Sequence, residues 1–311
     1  MKILILGAGG VGGYFGGRLA HSGADVTFLV REKRQQQLQT NGLTIESPLG
    51  NLNIPVKTVT GQTVANDADL ILLTCKAYDL DSALDAIAPA IGPNTAILPL
   101  LNGVSHLARL NERFGKARVW CGTARISAAL TDDGVVKHFN GWASITFGQQ
   151  DNAQTPKVLA FRDAMVKAGI DGQIAPDIVR DLWMKLVQLG TMAVLTSLLR
   201  ANIGEINRAP EGRSLFMTVL QTHADVAARE GYPPDGKFLQ SLREIFSDPA
   251  SMYEASLARD MEKGGPIEAD HIIGFLLDRV RAHGLPDTIH LLSYTGAKAY
   301  EQRRAAGRLT G

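Results

Sequence analysis

Little in this chain is extreme, and each shortage excludes something. Only two cysteines occur, Cys75 and Cys121, so there is no disulfide framework, and a reducing cytoplasm is the expected setting. Neither sign of charge dominates: 32 basic residues face 31 acidic ones, for a net charge of +1. Nucleic acid and anionic membrane surfaces are therefore not expected partners. Long apolar runs are missing as well. The longest uncharged stretch of the second half, 186–199, falls short of the roughly 20 apolar residues a bilayer span needs. The 7 histidines show neither H-E-x-x-H nor a cysteine–histidine cluster, so no metal site is expected. No internal repeat or low-complexity tract interrupts the sequence. What remains, 45% apolar and 20% charged over 311 residues, describes a globular chain long enough for two domains.

What the chain does have is concentrated at its start. A strand-compatible run over 2–6 ends in Gly7-Ala8-Gly9-Gly10-Val11-Gly12-Gly13. The G-x-G-x-x-G spacing has a physical reading. Gly7 turns the chain off the strand, Gly9 lets the backbone approach a pyrophosphate, and Gly12 lets the following helix pack closely on the sheet. The positive end of that helix then faces the phosphates. Gly7, Gly9, Gly10, Val11 and Gly12 are the candidate dinucleotide residues of the turn. A signal-peptide core is excluded, because only about five apolar residues precede the glycines where 7–15 are needed. The helix is expected over 14–22, closed by Gly23. Gly13 at its start and Gly16 and Gly17 within it each cost roughly 1 kcal/mol relative to alanine, a cost easier to understand if they lie against the sheet or a cofactor.

A second strand over 26–30 delivers Arg31 at its carboxyl end, with Lys33 and Arg34 close behind. An acidic residue there would take the ribose 2′-hydroxyl of NAD, whereas a basic one accommodates the 2′-phosphate of NADP. NADPH/NADP+ is the expected cofactor. The alternative, a solvated basic helix start, places charge at the wrong end of the helix dipole.

Beyond a small hairpin expected over 43–46 and 52–56, apolar strands at 68–74 and 96–101 flank a helix at 80–91. Such runs indicate a parallel sheet covered on both faces. Two of them end in polar residues, Cys75-Lys76 and Leu101-Asn102-Gly103, and carboxyl ends of parallel strands are where ligands bind. Shorter strands are expected over 119–148. Past 174 the pattern becomes helical: 177–199, 213–230, 236–246, 251–263, 266–283 and 286–304. The expected architecture is α/β followed by all-α: a Rossmann-type parallel-sheet domain over 1–174 and an all-helical domain over 175–311. The last residues, 305–311, are expected to fray.

Within the run 177–199, Ile178, Leu182, Lys185, Leu189, Met192 and Thr196 share one helical face. Lys185 inside that apolar stripe is either snorkelling to water or held in a dry cleft. In the second case its pKa falls towards the range where it donates a proton at neutral pH, as a carbonyl reductase requires. Glu268, two residues after Pro266, either joins this chemistry or complements a helix dipole. Ser256 has no claim from spacing alone, and Cys75 reads as a small buried residue rather than a nucleophile.

Taken in order, Gly7 to Phe15, Arg31, Cys75-Lys76-Ala77-Tyr78, Leu101-Asn102-Gly103, Trp183-Met184-Lys185-Leu186, Ser256 to Asp260 and Pro266-Ile267-Glu268 resemble the ketopantoate reductases (2-dehydropantoate 2-reductases) over nearly the whole chain. The resemblance implies hydride transfer from NADPH to 2-dehydropantoate, giving (R)-pantoate for pantothenate synthesis. Lys185 would be the general acid and Glu268 the acid that hydrogen-bonds substrate. Asn102 and Lys76 would lie at the nicotinamide and substrate end, with Ser256 on the substrate carboxylate and Arg31 on the 2′-phosphate. A small-molecule 2-oxo acid is the expected partner, and a homodimer is allowed.

Four positions depart from the family pattern. Leu189 and Ala193 stand where asparagines are usual, Leu101 where glutamine is, and Ile267 where threonine is. Each lost hydrogen bond to a polar substrate costs around 1 kcal/mol or more. A relative of the D-2-hydroxyacid (D-mandelate-type) dehydrogenases, acting on a more apolar 2-oxo acid, is therefore the alternative enzyme. A non-catalytic NADP(H) sensor is the alternative outside enzymes, although it needs neither Lys185 nor Glu268.

Overall fold

The computed structural model describes residues 1–309. The chain divides into two compact units. One holds Met1–Asn102 and His106–Val179, and the other holds Gly103–Ser105 and everything from Arg180 on. The expected division after 174 lies just ahead of this one.

The first unit opens with β1 (Lys2–Leu6), α1 (Gly10–His21), β2 (Asp25–Leu29), α2 (Glu32–Asn41), β3 (Leu43–Glu46), β4 (Leu52–Ile54), β5 (Lys57–Val59) and β6 (Leu70–Leu73). It continues with α3 (Leu80–Ile87), β7 (Ala96–Pro99), α4 (His106–Phe114), β8 (Trp120–Arg125), β9 (Ala128–Leu130), β10 (Val136–His138), β11 (Ser144–Gln149), α5 (Pro156–Lys167) and β12 (Asp171–Ile174). The main sheet has the order β5-β2-β1-β6-β7 and is parallel throughout. Ile3, Ile5, Phe28, Leu70, Leu72 and Leu98 are buried along it, as near-continuous apolar strands require.

Two further sheets, β4-β3-β10-β9 and β12-β11-β8, complete the unit. The hairpin expected at 43–56 is present in β3 and β4, but it is not a free insertion: β3 pairs in parallel with β10. The strand β5 was not foreseen.

Helix α1 begins at Gly10, ahead of the expected 14, because Gly13 N–H already donates to the Gly9 carbonyl at 2.8 Å. Its glycines have a common cause. A Cβ on Gly16 would meet Ile5 and Phe28 of the main sheet, while one on Gly13 or Gly17 would meet Val136, or Ile45 and Leu43, of the second. The helix is wedged between two sheets, and a larger residue on either face would force them apart.

The second unit is helical: α6 (Ile178–Leu199), α7 (Ile203–Arg208), α8 (Gly212–Arg229), α9 (Gly236–Ile245), α10 (Ser256–Glu262), α11 (Phe275–Ala282) and α12 (Thr288–Ala305). By length and composition α6 is apolar enough to cross a membrane, yet 61% of its apolar window is buried inside the protein. It serves as a core helix.

Two expectations need correction. The helix expected over 251–263 starts only at Ser256, because the Ser251 and Tyr253 carbonyls accept from Gly204 and Ile203 N–H at the start of α7. The helix expected over 266–283 starts only after Glu268 and opens with a π-helical turn, Asp270–Gly274, before α11. Helix α7 was overlooked although Asn202 and Glu205 form a capping box, a signal present in the sequence. Of the expected fraying end, α12 reaches Ala305, and residues 310 and 311 lie outside the described residues.

Candidate functional site

The strand order places a switch point between β1 and β6, since the chain leaves β1 for β2 on one side and returns to β6 on the other. In open parallel sheets, ligands bind outside the carboxyl ends of strands at such a point. Register aligns the rim, with Leu6 opposite both Leu29 and Leu73. Gly7, Val30 and Thr74 thus follow at one level.

The glycine turn has the form its spacing predicts. Gly7 takes φ +90°, in the region that L side chains rarely adopt, and its N–H donates to the Leu29 carbonyl at 2.9 Å. A Cβ on Gly12 would sit 2.4 Å from both the Gly7 carbonyl oxygen and Thr74 Oγ1, so only glycine lets α1 approach the rim this closely. Thr74 Oγ1 in turn donates to the Leu6 carbonyl at 2.8 Å. A Cβ on Gly9 would meet nothing within 4 Å. The protein's own packing thus does not demand glycine at this position, and the backbone there is open to the cavity.

A cavity of about 1040 Å³ opens on this turn, at the upper end of the range for small-molecule sites. Its wall takes in Gly7, Ala8, Gly9, Arg31, Thr74 and Cys75, together with the 60–62 segment and Leu130 of β9. Gly10, Val11 and Gly12 lie beside it in the first turn of α1, outside the wall. A Cβ on Gly10 would collide with the Ala128 carbonyl, 2.6 Å away, which makes that glycine a packing requirement of β9.

Cys75, expected to be buried, is only half-buried. Cys121 is the buried thiol, and burial pushes its pKa up to about 12, leaving it inert at neutral pH.

Arg31, the residue before α2, is exposed on the cavity rim and pairs with Asp79 at 3.7 Å. Exposed pairs of this kind contribute little, so the guanidinium can exchange Asp79 for a more highly charged anion at small cost. Lys33 also reaches the cavity and is exposed. Arg34 behaves differently from the expected local positive charge: it is half-buried and engaged with backbone carbonyls. Lys76 is exposed where the chain leaves β6, and Asn102 is half-buried beyond β7. Neither belongs to the cavity wall.

The remaining candidates belong to the second unit. Lys185 is half-buried on α6, with Leu182 buried one turn before it and Leu189 half-buried one turn on. Glu268 is 7% exposed in the irregular segment before the π-helical turn, so an acid there is held away from bulk water. Ser256 opens α10. It is placed from α6: Thr196 Oγ1 donates to the Met192 carbonyl at 2.8 Å and accepts from Ala255 N–H at 3.3 Å. In the same unit, Ser105 Oγ lies 2.7 Å from His271 Nδ1 in the π-helical turn, a pairing the sequence did not disclose. Single-turn π segments are frequent at functional sites.

The turn and cavity fit a dinucleotide on three counts: a left-handed glycine, an open Gly9 and a basic rim. Two family models match, "Ketopantoate reductase PanE/ApbA" over residues 3–152 and "Ketopantoate reductase PanE/ApbA C terminal" over 177–301. An uncharacterized oxidoreductase of Bacillus subtilis (strain 168), YkpB, is 32% identical over 98% of this chain and 100% of its own length. The 2-dehydropantoate 2-reductase of Halobacterium salinarum is 28% identical over 92% of this chain and 94% of its own. In fold, the chain is similar to the ternary structure of D-mandelate dehydrogenase with NADH and anilino(oxo)acetate. The TM-score is 0.84 at 24% identity, over 98% of this chain and 99% of that one.

Proposed function

The chain belongs to the ketopantoate reductase family, and from that premise we propose that it is a cytoplasmic, NADPH-dependent reductase of a 2-oxo acid. The substrate proposed is 2-dehydropantoate and the product (R)-pantoate, a step towards pantothenate. The observation that carries this reading is the cradle at the β1 terminus, where Gly7 turns, Gly9 stays open and Arg31 stands at the end of the neighbouring strand. The cofactor's chemistry is hydride donation to the keto carbon. Lys185 gives a proton to the carbonyl oxygen as charge develops on it. Glu268, kept from water, accepts a hydrogen bond from substrate. Ser256 meets the substrate carboxylate, with Asn102 and Lys76 towards the nicotinamide. Arg31 binds the 2′-phosphate.

A second reading rests on Leu189. It is half-buried one turn from Lys185, where a polar residue is usual in this family, and an apolar surface there favours a branched or aromatic 2-oxo acid. Following NADPH absorbance with 2-dehydropantoate and a panel of such acids separates the two. Fastest turnover with 2-dehydropantoate supports the first reading, and preference for an aromatic acid sinks it. Tight NADPH binding with no turnover of any acid leaves a sensor.

A further inference from the structure

Arg34 is a half-buried charged residue of the cavity wall to which the proposed function gives no role. It lies in the first turn of α2, three residues past Arg31, and its side chain takes a different course. One terminal nitrogen donates to the Ala8 carbonyl at 3.0 Å, in the middle of the glycine turn. The other donates to the Gly134 carbonyl at 3.0 Å and to Gln37 Oε1 at 2.6 Å. Gln37 Nε2 continues the latch to the Asp133 carbonyl at 2.9 Å. Gly134 takes φ +88°, and a Cβ there would lie 2.1 Å from the Gln37 amide nitrogen, so the contact is close by necessity. The segment so held joins β9 to β10, and Leu130 at its start lines the cavity.

The Ala8 contact has a consequence for the neighbouring peptide group. The Ala8 carbonyl and the Gly9 N–H belong to one planar trans unit and point in opposite directions. A guanidinium holding the carbonyl fixes the direction of that N–H, which would otherwise depend on a glycine's free torsions. Arg can do this because its planar fork reaches two acceptors at once.

We infer that Arg34 is a positioning residue of the dinucleotide site. It orients the Ala8–Gly9 peptide towards the pyrophosphate and latches the β9–β10 turn as a wall, whereas Arg31 reads the 2′-phosphate. This rests on reading the cavity as a dinucleotide site. A ligand to the 2′-phosphate would distinguish NADPH from NADH; a residue that shapes the turn acts on both alike.

The test measures binding of NADPH, NADH, ADP and 2′-AMP by calorimetry to the full chain and to Arg34→Ala, Arg34→Lys and Arg31→Ala. ADP carries the pyrophosphate without the 2′-phosphate, and 2′-AMP the reverse. Arg34→Ala should weaken NADPH, NADH and ADP by a common factor of about ten or more, leave 2′-AMP unchanged and preserve the NADPH-to-NADH ratio. Arg31→Ala should weaken 2′-AMP and NADPH alone. Arg34→Lys keeps the charge but loses the fork, so it should follow Arg34→Ala and decides the matter if the alanine variant does not fold. Loss of 2′-AMP binding in Arg34→Ala, or unchanged ADP binding in either Arg34 variant, overturns the role. A wild-type chain that binds neither NADPH nor ADP overturns the dinucleotide reading itself.

Discussion

The glycine turn of the first unit and the Lys185 face of the second are candidate sites built from different material. The turn is made of backbone: its donors are N–H groups, its shape comes from one left-handed glycine, and its closeness to α1 comes from a missing Cβ on Gly12. The second-unit candidates are side chains instead: Lys185 stands on an apolar helix, Glu268 just ahead of a helix and Ser256 at the start of one. A backbone site can be spoiled by almost any added atom, whereas a side-chain site is spoiled only by removing the group that reacts. Backbone sites therefore constrain residue type at many positions, and side-chain sites at few.

Substitutions can separate the two regions. Lys185→Ala should cause the largest effect, a fall in kcat of about a hundredfold or more, with NADPH binding retained. Unchanged turnover would remove Lys185 from the chemistry.

Acid should strike the second unit. His223 and His290 meet Nε2 to Nε2 at 2.8 Å, and Thr191 Oγ1 lies 3.0 Å from His223 Nδ1. Burial pushes His223 well below its ordinary range and His290 down to about 4, against a smaller opposing pull on His290 from Asp287. The unfolded chain takes up these protons near pH 6.5, while the folded chain resists them until lower pH. Stability is thus complete above about pH 6.5 and is lost as pH falls towards 4, by about 3 kcal/mol for His290. Urea unfolding across that window should show the slope, and His290→Gln should lessen it, leaving the part that His223 contributes. An equal slope in the variant would assign the loss to carboxylates instead.

The smallest expected effect is that of Gly12→Ala. One methyl placed 2.4 Å from a carbonyl oxygen and a hydroxyl should cost about 1–3 kcal/mol, read as a lower melting temperature with weakened NADPH binding. If the melting temperature holds, the close approach of α1 is not needed.

The same contrast explains what could be read in advance. Gly7, Gly9 and Arg31 line one cavity, and the sequence marks that rim because a sharp turn off a parallel strand demands glycine at fixed offsets. Arg34 was read with Arg31 as one basic cluster, since a sequence shows charge but not the carbonyls that absorb it. Ser105 and His271 are 166 residues apart, and nothing local marks either. The π-helical turn was likewise hidden inside an amphipathic pattern that continues through it.

By itself the sequence determined the parallel α/β unit, the helical unit and the glycine turn that follows the first strand. These follow from local periodicity and from residues that only particular backbone conformations tolerate. Only the tertiary structure decided that α1 is squeezed between two sheets, that β3 pairs with β10, and that Arg34 reaches back to Ala8. Those are meetings of segments distant in the chain, and their energy lies in shapes that no single segment carries.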